Sequence, residues 1–176
     1  GAAGASATLL LGRGSEALVY AAILFVGAGF AFKVSAVPFQ FWAPDTYEGA
    51  PVPVAAFLAT ASKAAGFAGL LQLFFVAFPA QWEVWTPAFA AVSIATMTLG
   101  NLVALQQTQI VRLLAYSSIA QAGYMLLPFA LVSGNADIND SAFAAAVTYI
   151  LIYAVMNLGA FGVVIGVARE SAGLLI

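Results

Sequence analysis

The sequence predicts an all-α, polytopic transmembrane bundle of about five spanning helices, the first of them discontinuous. Three observations carry this. The 176 residues are 64% hydrophobic and only 7% charged, against about 25% charged in a soluble domain, so lipid or other membrane protein has to cover the surface. Five apolar stretches reach the roughly 20 residues that a span needs, and the connections between them are short. Two prolines, Pro38 and Pro44, bracket an apolar patch at the end of the first stretch.

Taken in order, the spans are expected at Ala17 to Val37, Val52 to Phe78, Thr86 to Leu105, Ile110 to Val132 and Ala142 to Ala168. Residues 1–16 read as the end of a preceding helix or loop, 17–168 as a membrane domain, and 169–176 as the start of a following loop or helix. Polar connections at 38–51, 79–85, 106–109 and 133–141 make successive helices antiparallel neighbours. The chain opens Gly1-Ala2-Ala3-Gly4 with no initiator methionine and ends within an apolar run at Ile176, so an internal piece of a longer protein is expected. The side holding 38–51 and 106–112 also holds Arg112 and Arg169, the other side only Arg13. A positive-inside vote of two to one makes the first side cytoplasmic.

In the first segment, Pro38 lacks an N–H and its ring opposes the carbonyl of Val34. Pro44 does the same at Gln40. The reading is a helix, a break near Lys33–Val37, a short half-helix around Phe39 to Trp42, and a loop carrying Asp45 and Glu48. Irregular backbone at membrane depth survives only where protein or a wet cavity satisfies it, and broken helices mark ion sites in transporters.

Lys33 and Lys63, the two lysines of the chain, both fall within apolar stretches. Lys63 lies roughly 17 Å along its helix from Val52, near the middle of a hydrocarbon core about 30 Å thick. An intramembrane lysine costs about 2.5–3.5 kcal/mol on insertion scales and faces a bundle interior or cavity. The bland reading is snorkelling to the interface. It fits Lys33 better than Lys63, which sits too deep. Two lysines on consecutive antiparallel helices repel if they share a cavity, so the proton on one depends on the proton on the other.

Other residues weigh less. Arg112 opens the fourth span, where snorkelling is expected. Asp45 and Glu48 read as solvated or capping groups. Gln121 and Tyr124 either line a polar path or bond a neighbouring helix. Trp42, Trp82 and Trp85 suit interfacial belts. The third and fifth spans carry no charge and read as packing helices, with Asn157 and Gly159 as close-packing or interhelical bonding residues. The absence of Cys and His excludes disulfides, thiolate and imidazole chemistry, and the ordinary zinc, haem and iron–sulfur ligand sets. A net charge of −2 gives no reason to expect nucleic acid.

The stretch from Gly29 through Lys33, Pro38, Trp42-Ala43-Pro44-Asp45-Thr46-Tyr47-Glu48-Gly49 to Pro51 resembles the signature of the subunit N family of NADH-quinone oxidoreductase, the antiporter-like membrane subunits of respiratory complex I, also called subunit 2. Ala59-Thr60-Ala61-Ser62-Lys63, Gly100 to Leu105, Arg112 to Ile119 and Met156 to Phe161 follow in that family's order. The resemblance covers residues 25 to 168. It implies a part of a larger inverted-repeat fold, with Lys33 and Lys63 as proton-relay residues on a broken and a following helix. A glutamate on an earlier helix and a lysine on a later one, also members of that family's polar axis, would lie outside this sequence. The resemblance further implies a non-redox subunit of a proton-translocating NADH:quinone oxidoreductase, without independent catalysis. The subunit would hold no cofactor; NADH, FMN, iron–sulfur clusters and quinone would belong to the rest of the complex. Partners would be other membrane subunits and lipid, with quinone indirectly, in a bacterial inner or plasma membrane. Gln121 stands where many respiratory members have histidine, which resembles the photosynthetic branch, whose complex takes electrons from ferredoxin, reduces plastoquinone and sits in a thylakoid-type membrane. Two alternatives remain open at this point: a cation/proton antiporter subunit of the same superfamily, and a non-conducting scaffold with structural lysines.

Overall fold

The computed structural model describes the backbone of residues 2–173 and the side chains of residues 16–170. Among the described residues there are seven α-helices: α1 Ala2–Val34, α2 Trp42–Gly49, α3 Val52–Phe57, α4 Lys63–Leu71, α5 Trp82–Ala104, α6 Ile110–Leu126 and α7 Ala136–Gly173. A π-helical turn at Leu58–Ser62 joins α3 to α4, a second at Gln72–Ala77 extends α4, and a 3-10 turn at Leu127–Leu131 extends α6 past Pro128. Among the described residues five segments are long and apolar enough to cross a membrane: Glu16–Val34, Val52–Ala77, Pro79–Ala104, Ile110–Leu131 and Ala136–Glu170.

Several boundaries depart from the sequence expectation. α1 runs from Ala2 to Val34 and α7 runs to Gly173. α7 also begins at Ala136 rather than Ala142. Asn135 accounts for the early start: its side-chain oxygen accepts the Asp137 amide at 2.9 Å, an N-cap that satisfies one of the orphan donors of a first turn. Asp137 adds an acidic group at the positive end of the helix dipole. α5 likewise begins at Trp82, four residues early, with Pro87 in its second turn.

Large apolar side chains point outward along the rods, with Phe25 80%, Val155 74% and Leu18 73% exposed. A water-facing surface would not tolerate that pattern; hydrocarbon does. Inside, Phe74, Trp85 and Phe89 pack edge to face and Phe129 lies tilted against Phe89, in a cluster between the second, third and fourth spans. Trp85 is 1% exposed and donates its indole N–H to the Phe78 carbonyl at 3.0 Å, so it is a core residue and not part of an interfacial belt.

α5 and α6 approach closely because glycines face each other's backbone. A Cβ on Gly100 would lie 2.6 Å from the Ala120 amide nitrogen, and one on Gly123 would lie 2.7 Å from that of Met97. The Ser93 hydroxyl crosses the same contact to the Gly123 carbonyl at 2.7 Å. Between lipid-facing helices, such small-residue contacts and interhelical hydrogen bonds supply the attraction that water would otherwise provide. Gly159, by contrast, has nothing within 4 Å of a Cβ position among the described residues. Gly100→Val should therefore lower the stability of the full-length protein in detergent by about 1–3 kcal/mol through overpacking. Gly159→Ala should leave it unchanged or slightly higher. Thermal unfolding of the two variants side by side measures the difference.

Candidate functional site

The first span ends at Val34 in a left-handed cap. Ser35 has φ 62°. Its amide bonds the Phe32 carbonyl at 3.1 Å and the Ala36 amide bonds the Ala31 carbonyl at 2.8 Å, the paired bonds of a Schellman motif. The remaining amides of the break are also spoken for. Val37 donates to the Thr96 hydroxyl of α5 at 3.0 Å and Phe39 to the Ala36 carbonyl at 2.7 Å, while Pro38, which follows a cis peptide bond, has no amide to satisfy. Trp42 returns its indole N–H to the Phe32 carbonyl at 2.9 Å. The break thus falls where the sequence placed it, but the half-helix does not. Phe39 to Phe41 are not helical, and α2 runs over Trp42–Gly49 with Pro44 in its first turn, a position where the missing N–H costs nothing. Asp45 and Glu48 accordingly lie on a helix rather than in a loop.

This geometry leaves Lys33 in the last turn of α1, where a cation suits the helix dipole. Its Nζ donates to the Ser62 hydroxyl at 2.7 Å, on the exposed side of the contact. The close approach is possible because Gly66 lies against the stems of Val34 and Lys33.

Lys63 is 2% exposed. Its Nζ donates to the Ser118 carbonyl at 2.8 Å and also to the Ser118 hydroxyl on α6. The Tyr153 hydroxyl on α7 lies 2.8 Å from the same serine oxygen and 3.0 Å from the Ala59 carbonyl. One arrangement of protons satisfies all of these atoms: Lys63 donates to Ser118, Ser118 to Tyr153, and Tyr153 to Ala59. Ala59 sits in the π-helical turn that immediately precedes Lys63. Such bulges loosen the intrahelical ladder and recur at functional sites. Among the described residues no carboxylate forms an ion pair with Lys63.

One turn along α6 and α7, a second polar contact joins the same two helices. The Tyr149 hydroxyl meets the Gln121 side-chain oxygen, and the Tyr149 ring stacks on Tyr124 with centroids 6.3 Å apart. Gln121 and Tyr124 thus engage α7 rather than Lys63, and Tyr124 is 39% exposed. α7 is more than a packing helix. Tyr149, Tyr153 and Asn157 recur every four residues, which puts them on one face, and Tyr153 and Asn157 are buried. Sequence reasoning passed over Ser62, Ser118, Tyr149 and Tyr153. The four-residue tyrosine spacing was the available signal.

On the α2 side, the Arg112 guanidinium donates to Asp45 at 2.9 Å and to Glu48, tying α2 to the start of α6. Asp45 and Arg112 keep substantial exposure, where each such pair contributes at most about 1 kcal/mol. The two together fix the seat of a short helix. Lys33 and Lys63 themselves do not converge. One is buried and the other exposed, they share no hydrogen-bond partner, and they engage through consecutive residues of the second span.

The fold and this site define a class: an all-helical membrane bundle in which a broken helix and a buried lysine adjoin one another. The family described as NADH:quinone oxidoreductase/Mrp antiporter, transmembrane, matches residues 6–174, and the chain belongs to it. It is 51% identical over 150 residues to NADH-quinone oxidoreductase subunit N 2 of Streptomyces griseus, an alignment covering 82% of this chain and 28% of that protein. It is 48% identical over 155 residues to NAD(P)H-quinone oxidoreductase subunit 2 of Synechococcus elongatus, covering 88% and 29%. Among solved structures it is similar to a chain of respiratory complex I from Thermus thermophilus with bound aureothin, with a TM-score of 0.50 and 40% identity, covering 73% of this chain and 28% of that one. The chain therefore spans less than a third of the length of these relatives.

Two outcomes test the local chemistry in the full-length protein. Ser118→Ala should cost about 1–3 kcal/mol, because Lys63 and Tyr153 both lose a buried partner, read as a lowered unfolding temperature. Ser35→Gly should be neutral or stabilising by about 1 kcal/mol, since it relieves a left-handed non-glycine backbone and removes a hydroxyl that is buried without a partner.

Proposed function

We propose that this chain is part of the proton-translocating membrane subunit of an NADH-quinone oxidoreductase, set in a bacterial inner membrane among the other membrane subunits of that complex. The observation that carries the reading is Lys63: a lysine 2% exposed at the centre of a membrane bundle, held by the oxygens of Ser118. An ammonium whose partners are neutral oxygens is not locked in its charged form as an ion-paired one is, so a proton held there is available for transfer. The curated relatives that are about half identical to it carry oxidoreductase names, which favours this assignment over an antiporter within the same family. Lys33 enters as the neighbouring station. Its ammonium bonds Ser62, the residue that precedes Lys63 in the second span. The donor and quinone follow from subunits other than this one. The subunit itself needs no cofactor for this role, because the work is proton transfer between side chains driven by events elsewhere in the complex.

Lys63→Arg in the full-length subunit tests this. Arginine keeps its charge throughout, so the variant should assemble and retain reduction of an artificial quinone acceptor while proton pumping falls by about tenfold or more. Lys33→Arg should lower pumping in the same sense. Pumping in reconstituted vesicles, normalised to electron transfer, is the measurement; an unchanged ratio in both variants would refute the proposal.

A further inference from the structure

Tyr47 is the feature that the lysine sites do not absorb. It lies on α2 with 1% exposure, packed among Ala43, Ala55, Ala59 and Phe161, with its ring edge-on to Trp42. A phenylalanine would fill this apolar nest equally well. The hydroxyl is the addition, and it is buried with no hydrogen-bond partner among the described residues. An unpaired hydroxyl in such a place lowers stability, so its presence calls for a use. It shares its cluster with Ala115 and Ile119 of α6, which flank Ser118, the residue that holds Lys63, and it closes no hydrogen bond there. The same short helix carries Asp45 and Glu48 two residues before and one residue after Tyr47, and both are anchored to Arg112 at the surface of the bundle. α2 therefore reaches from ionised groups outside to a free hydroxyl inside, and Arg112 holds it there.

We infer that Tyr47 is a relay residue linking the α2 side of the bundle to Lys63 through Ser118, an inference that rests on the proton-translocating reading above. A proton arriving at the Tyr47 oxygen releases the phenol's own proton to the Ser118 oxygen, directly after a small rotation or across one bridging water. The Ser118 proton passes in turn to Lys63 in its free-amine form. Each oxygen takes one proton and gives one up, and Lys63 ends as the ammonium. Tyr153, bonded to both Ser118 and the Ala59 carbonyl, holds the serine in register while this happens and is a positioning residue.

The test uses the full-length subunit in the assembled complex, with Tyr47→Phe beside Lys63→Arg. The expected result is that Tyr47→Phe assembles with unchanged or raised thermal stability and reduces an artificial quinone acceptor at the normal rate. Its protons pumped per electron pair should fall several-fold, and its pumping should show an altered solvent deuterium isotope effect. Normal pumping in Tyr47→Phe alongside lost pumping in Lys63→Arg overturns the Tyr47 relay and leaves the proton-translocating reading standing. Normal pumping in both overturns that reading as well. Failure of Tyr47→Phe to assemble also overturns the relay, because a hydroxyl needed for stability is a structural one.

Discussion

An ammonium in hydrocarbon has to find oxygen, and most of this bundle is arranged so that Lys63 can. The side chain leaves the second span between two packed apolar clusters and reaches across to α6, where the Ser118 carbonyl and hydroxyl receive it. That reach closes only if three helices are in register. Tyr153 supplies the third, bonding the serine hydroxyl from α7 while it also meets the carbonyl of Ala59 one turn before the lysine. The π-helical turn at Leu58–Ser62 belongs to the same arrangement. By disturbing the local ladder it frees backbone oxygen where a side chain from another helix needs it. Among the described residues the buried cation is satisfied by backbone and hydroxyl oxygens and has no carboxylate partner.

The broken first span follows a related logic at its own end. Backbone groups at membrane depth have no water to fall back on, so each amide between Ser35 and Phe39 is paid off locally or by Thr96. The outcome is a helix end that presents Lys33 to Ser62 and then redirects the chain into α2. That short helix is held over α6 by Arg112 from outside and by the apolar nest of Tyr47 from within. The two lysines consequently occupy different environments, one enclosed and one on the open side of α1, although they act on consecutive residues of a single helix.

Close packing makes both arrangements possible. Gly100 and Gly123 bring α5 against α6 at backbone distance, and Gly66 and Gly69 make room for the side chains of Val34, Lys33 and Phe30 between the first and second spans. Larger residues at these points would move α6 or α1 by more than the tolerance of a hydrogen bond. Ser118 would then part from Lys63, or Ser62 from Lys33. Small residues that look passive in sequence thus set the distances on which the polar site depends.

Composition and length were enough to specify an all-helical membrane bundle, because a chain this apolar has no stable alternative that satisfies its backbone in lipid. The five spans, the break before Pro38 and the burial of Lys63 were legible for the same reason: each is a local consequence of hydropathy, of a missing amide or of depth along a helix. Helix ends were less legible where a side chain decided them, as Asn135 does for α7 and Pro44 for α2. The partners of the lysines were not legible at all. Ser62, Ser118, Tyr149 and Tyr153 are ordinary residues of apolar helices until rotation and register bring them to one seam, and those are set by how glycines and aromatics of different spans interlock. Sequence determined which residue had to be satisfied; only tertiary packing decided which oxygens would do it.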